Sequence, residues 1–148
     1  MIQVDFRNEQ TTLAIDAAQL RRAIEAVLSG EGVKAAEISL AVIDDAAMHI
    51  LNRRYLNHDE PTDVLSFVLE ARPGYVEGEI IVSADTATSS ARRFGWSAES
   101  ELLLYVIHGA LHLVGYDDLE PEAQAEMRQR ERAYLGQFGL TPRYAEES

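Results

Sequence analysis

The stretch that most restricts what this chain can become is "SAESELLLYVIHGALHLVG", residues 97–115. Beyond its first turn it is apolar nearly all round, and a helix of that kind is buried by the rest of its domain. Its ends carry helix signals. Ser97 is a good N-cap, Glu99 and Glu101 suit the positive end of the helix dipole, and Gly115 is a good residue for leaving the helix left-handed. The domain is therefore expected to be built around this segment, with Leu103, Ile107, Leu111 and Val114 among the core contacts.

Two imidazoles sit in this apolar setting. His108 and His112 are four residues apart, so on a helix they project side by side from one face. Burying both costs free energy unless each is hydrogen-bonded or metallated. The chain has no cysteine, which removes thiolate ligands and thiol nucleophiles and leaves histidine and carboxylate as the strong metal donors. After Gly115 the chain can double back, and a residue three positions on can reach the same ion from the side. That residue is Asp118, with Asp117 beside it as the alternative. Three protein ligands with a fourth position open to water describe a catalytic metal site rather than a structural one.

The remaining segments read as a mixture of strands and helices. "IQVDF" alternates like a half-buried strand, and "DAAQLRRAIEAVLSGEG" follows as a helix with Leu20, Ile24 and Val27 inward and Gly30 as its stop. "EISLAVI" is a strand, and a helix then starts at Asp44 or Asp45 and runs through Met48, Leu51 and Tyr55. "DEPTD" is turn chemistry. "DVLSFVLE" and "EGEIIVS" flank Pro73–Gly74 and are close enough to pair antiparallel. "ADTATSSARRFG" is a helix ending near Gly95. The last helix starts near Pro121 and carries Met127, Tyr134 and Leu135. At 148 residues this fits one α+β domain, a small mixed β-sheet packed with several helices around the histidine helix. The tail, about residues 144–148, is expected to be disordered.

Net charge is −12, and Lys34 is the one lysine among 13 basic residues. Such acidity argues against a broad electrostatic footprint on nucleic acid, and against a DNA-binding protein in particular. No stretch approaches the ~18 apolar residues of a membrane span, and the start has no secretory pattern. A soluble protein of the reducing cytoplasm is the expectation.

The spacing H-x-x-x-H-x-x-G-x-x-[H/D] resembles metalloproteases of the metzincin kind, which carry glutamate directly after the first histidine as general base. Here that position is Gly109. A closer likeness lies elsewhere. "HGALHLVGYDD" is similar to the H-G-x-L-H-L-x-G-Y-D-H signature of the YbeY family, metal-dependent endoribonucleases of ribosomal RNA maturation. "LNRRYLNHDEPTDVLSF", residues 51–67, resembles that family's L-N-x-x-Y-R-x-x-D-x-P-T-[DN]-V-L-S-F, and "GEIIVS", residues 78–83, resembles its G-D-I-x-I-S strand.

The resemblance implies one zinc per chain held by His108, His112 and Asp118, the last standing where the family has a third histidine. An anionic ligand there would make a bound water less acidic than in a three-histidine site. Other divalent transition metals suit the same donors. Asp117 matches the signature's aspartate and implies a supporting or structural role. Ribosomal RNA or ribosomal particles would be the substrate or partner, with ribosome-associated proteins as further partners. A second departure is Leu56, which stands where the family has the arginine that handles phosphate. Leucine cannot replace that planar fork, and Arg54 is the nearby candidate to compensate. His49 reads as structural or surface, His58 as an exposed loop residue, and Arg92–Arg93 as a solvated helix face. Two other classes stay open: a metal-dependent hydrolase of another substrate such as a peptide, and a non-catalytic ribosome-associated metalloprotein.

Overall fold

A computed structural model describes the chain over residues 1–56 and 63–144, and the side chains over the same range except at Tyr55 and Leu56. The loop holding His58, most of "DEPTD" and the tail "AEES" lie outside the described residues.

The first strand, β1 (Ile2–Glu9), alternates as its sequence does, with Ile2, Val4 and Phe6 packed on the core. Helix α1 (Ala17–Gly30) begins at Asp16, whose side chain accepts from the Gln19 amide. It crosses back so that β2 (Ala35–Ile43) pairs parallel to β1, the usual outcome of a strand–helix–strand unit. Helix α2 (Asp45–Leu56) follows, capped by Asp44 through the Ala47 amide at 2.8 Å. Strands β3 (Val64–Arg72) and β4 (Tyr75–Ser83) then form the expected antiparallel pair. The sheet order is β1-β2-β4-β3, so β4 also runs parallel to β2 and the sheet is mixed.

Three helices complete the domain: α3 (Ala84–Phe94), α4 (Ala98–Leu113) and α5 (Pro121–Gly136). Helix α4 is the histidine helix, and Ser97 caps it by accepting from the Ser100 amide. It packs on β3 and β4 with α1, α3 and α5 around it. Leu103, Ile107 and Leu111 are fully buried, each contributing roughly 1.5–3 kcal/mol by removal of apolar surface from water. The opposite face of the sheet carries a smaller cluster, where Met48 of α2 packs against Ala41, Ile43, Leu65 and Ile81.

The first helix ends at Gly30, as its sequence suggests, and the positive φ of the turn that follows is at Gly32. Gly30 is needed for space: a Cβ there would lie 2.3 Å from the hydroxyl oxygen of Tyr134.

Candidate metal centre

Helix α4 lies against the sheet along the side that carries Gly109. A Cβ at that position would stand 2.8 Å from Cγ2 of Ile80 and 3.0 Å from the Ser66 hydroxyl. Ser66 in turn donates to the Gly109 carbonyl at 3.2 Å. Position 109 therefore faces the strands, and the residue after the first histidine is in no place to act as a base on the metal side. His108 and His112 point the other way. Their rings meet edge-on, with centroids 4.6 Å apart and Nε2 atoms 3.0 Å apart.

Past the helix, Gly115 takes φ of 104° and the chain turns back. Tyr116 anchors the turn, its amide donating to the Leu111 carbonyl at 3.1 Å and its hydroxyl to Glu31 at 2.7 Å. Asp117 is exposed, and its carboxylate accepts from the Leu119 amide at 3.3 Å, which shapes the turn. Asp118 comes round to the histidines, its oxygens 3.5 Å from His108 Nε2 and 3.9 Å from His112 Nε2.

The three ligand atoms all lie within 4.8 Å of one another, so His108, His112 and Asp118 could hold one metal ion. Zinc bonds of about 2.0–2.2 Å place tetrahedral ligand atoms roughly 3.3 Å apart; the two Nε2 atoms at 3.0 Å and the His108–Asp118 Oδ2 approach at 3.5 Å lie near that edge, while His112 is 3.9 Å from the other carboxylate oxygen, Oδ1. The donor set suits a divalent transition ion; it does not select one.

A buried carboxylate stands behind the first histidine. Glu131 of α5, its side chain 4% exposed, lies 2.5 Å from His108 Nδ1. Tyr144 donates its hydroxyl to the other oxygen of the same carboxylate. A carboxylate at Nδ1 keeps the proton there and leaves the Nε2 lone pair aimed at the site. Burial by itself would push His108 down; the Glu131 carboxylate outweighs it and draws the imidazole up, with Asp118 and Asp63 acting in the same direction. His112 is held below the ordinary histidine range, first by burial and then by the neighbouring His108.

The site opens into a cavity of about 320 Å³. His108 and Asp118 line it together with Asp63, Glu101, Arg128 and Arg143. Glu101 is 3% exposed and accepts from the Trp96 indole at 2.7 Å. Burial raises its pKa, against the hydrogen bonds from Trp96 and Tyr105.

Arg54 is elsewhere. It is exposed on α2 and shares a shallow depression with Ile50 and Arg53, and the cavity beside His108 does not include it. His49 is half-buried on α2 and also outside that cavity, while Arg92 and Arg93 are exposed in the last turn of α3. The sequence reading missed Glu131, Tyr144 and Glu101. A signal existed for Glu131, which falls on the same helical stripe as Met127, Tyr134 and Leu135 and so was a carboxylate on a face bound for burial; Glu101, in the polar opening turn of its helix, read as a partner of the helix dipole. Tyr144, grouped with the tail by its position, is half-buried and held by its bond to Glu131.

Comparison with known proteins gives this geometry its setting. A protein of Rhodopirellula baltica named Endoribonuclease YbeY is 43% identical over 124 residues, covering 82% of this chain and 64% of its own length. Proteins of the same name from Salinibacter ruber and Chlorobium luteolum are 39% and 43% identical, covering 89% and 93% of this chain and 89% and 98% of themselves. The solution structure of TM1509 from Thermotoga maritima superposes with a TM-score of 0.63 at 25% identity, over 93% of this chain and 92% of that one. The family described as Endoribonuclease YbeY matches residues 5–139, nearly the whole domain from the first strand to the end of the last helix, and the chain belongs to that family.

Proposed function

We propose that this chain is a metal-dependent endoribonuclease acting on ribosomal RNA during ribosome maturation in the cytoplasm, with one zinc ion held by His108, His112 and Asp118. The observation that carries the reading is the convergence of those three ligand atoms beside an open cavity, in a chain whose relatives are named endoribonucleases. Among the described residues no helix is long and apolar enough to cross a membrane.

A bound zinc would supply Lewis-acid polarisation of a phosphoryl oxygen and a water acidic enough to attack near neutral pH. The chain's own residues do the rest. Glu131 and Tyr144 orient the His108 imidazole, and the Tyr116–Glu31 bond fixes the loop from which Asp118 returns. Glu101 lines the same cavity, and burial there raises its pKa, the direction that suits a carboxyl group to general-acid work.

The test is metal content and RNA cleavage in purified wild type, Asp118→Ala and Asp117→Ala. About one equivalent of zinc, with metal and cleavage lost in the Asp118 variant and kept in the Asp117 variant, is the expected result. Cleavage undiminished in a folded Asp118→Ala variant overturns the reading. A second reading is favoured by Leu56: a ribosome-associated metalloprotein without cleavage, which would bind ribosomal particles and show no metal-dependent RNA breakage. A peptidase is disfavoured, because position 109 faces Ile80 and Ser66 rather than the site.

A further inference from the structure

Helix α4 and its neighbours cover one face of the sheet, and on the other face α2 is the covering helix. Its cluster around Met48 occupies only part of that face, and a groove of about 760 Å³ runs between the helix and the strands. The strands contribute Ala41, Phe67 and Ile81 to its lining, and α2 contributes Ala47, Ile50 and Leu51. Ile50, Val68 and Leu69 stand in it 60%, 49% and 57% exposed. They are three of the five large hydrophobic side chains left exposed among the described residues, which marks the groove as a binding face.

The strand register carries the same face on from apolar to acidic. Arg7, Ala41, Ile81 and Leu65 stand abreast beside α2. The next row along the strands is Asp5, Ser39, Glu79 and Phe67, and the one after it is Gln3, Glu37, Glu77 and Glu70. Glutamates directly opposite one another on neighbouring strands repel, so the last row costs the fold stability. Arg72 bonds to Glu70, and Arg7 lies 3.8 Å from Glu9. Among the described residues no ion pair engages Asp5, Glu37, Glu77 or Glu79.

We propose that this groove takes a basic amphipathic helix of a partner protein, its apolar face against Ile50, Val68 and Leu69 and its lysines or arginines over the glutamates of β2 and β4. One ligand then answers both halves of the surface. Apolar anchors fill the groove beside α2, and the carboxylates gain the cations that the chain itself does not bring to them. Arg53 and Arg54 lie beyond Ile50 on the α2 side, so the basic flank of the occupant turns to the strands. A polyanion such as RNA is repelled by the acidic rows, and an uncharged ligand leaves them unanswered. The groove lies on the sheet face away from the metal centre, so the proposal stands apart from the endoribonuclease reading.

The probe is a short fluorescein-labelled peptide with leucine at helical spacing and lysine elsewhere, followed by anisotropy against the full chain. Its counterpart carries glutamate for lysine, and wild type should bind it more weakly by about tenfold or more. Ile50→Ser with Leu69→Ser should weaken binding of the lysine peptide about tenfold, and both positions are exposed, so the core is left intact. Glu37→Gln with Glu77→Gln should weaken it about as much and flatten its salt dependence. The same pair should raise the melting temperature by about 1–4 °C, because like charges are relieved. Glu122→Gln with Glu126→Gln, exposed on α5, should leave binding unchanged. Equal binding of the two peptides, or equal weakening by the α5 pair, overturns the proposal. So does a lowered melting temperature with unaltered binding in the Glu37 and Glu77 variant, which would make that row a part of the fold. Displacement of the peptide by single-stranded RNA, or a wild-type dimer that Leu69→Ser dissolves in sedimentation, assigns the groove to another occupant and overturns it too.

Discussion

Glu131 offers the sharpest test of how this fold builds a metal site. Its carboxylate accepts from His108 Nδ1 at 2.5 Å and from the Tyr144 hydroxyl, at a side-chain exposure of 4%. Replacement by glutamine keeps the volume and one acceptor oxygen. That oxygen can still take the Nδ1 proton, and the amide nitrogen can donate to the Tyr144 oxygen, so the tautomer survives while the negative charge behind the imidazole is lost. A less basic imidazole binds zinc more weakly. Loss of such an outer partner costs about 10–100-fold in metal affinity, or roughly 1.4–2.7 kcal/mol. Glu131→Gln should fall near the lower figure. Glu131→Ala also leaves the Nδ1 proton and the Tyr144 hydroxyl without their acceptor, and should fall near the upper one. Competition against a chromophoric chelator measures the affinity, and circular dichroism confirms the fold. If Glu131→Ala is folded and binds zinc as tightly as wild type, the claim that α5 prepares the ligand on α4 is wrong.

Three further outcomes follow from the same geometry. Gly109→Ala gains about 1 kcal/mol of helix propensity but drives a methyl to 2.8 Å from Ile80 Cγ2, and overpacking of about 1–3 kcal/mol should win. The melting temperature should drop by about 2–4 °C per kcal/mol lost, so a rise on melting would show that the helix is not pressed to the sheet there. For Glu31, burial would raise the pKa, but hydrogen bonds from Tyr134 and Tyr116 and the Arg130 charge hold it below its ordinary 4.5. A depressed folded pKa gives stability that is present above pH 4.5 and lost as pH falls through the folded value. Glu31→Gln should therefore be less stable at pH 7 and show a flatter acid limb in urea midpoints, and an acid limb unchanged from wild type would count against the clamp. Leu56→Arg should raise RNA cleavage if the enzyme reading holds, and cleavage assays in which it stays flat would shift weight to the non-catalytic reading.

Much of the site's local half was readable in the residues. Ser97, Gly115 and the unbroken apolar run announced α4, because capping and burial patterns depend on neighbours within a turn or two. The four-residue spacing placed His108 and His112 on one face for the same reason. The antiparallel pairing of β3 with β4 followed from their closeness in the chain. The choice between two adjacent aspartates was a different kind of question. Asp117 and Asp118 are chemically alike, and the turn after Gly115 decides which swings toward the imidazoles; that turn is held by Glu31, at the end of a helix near the start of the chain.

Sequence alone thus determined the α+β class, the buried central helix and the paired histidines. Each rests on short-range periodicity and on the cost of leaving apolar surface or imidazoles unmatched. Tertiary structure decided the rest. It set β4 between β2 and β3, turned position 109 to the strands, brought Glu131 across 23 residues to His108, and gathered Arg128 and Arg143 beside the site while leaving Arg54 away from it. Those placements depend on how packed elements cross, and a crossing is a property of two distant segments together, which neither segment's residues encode by themselves.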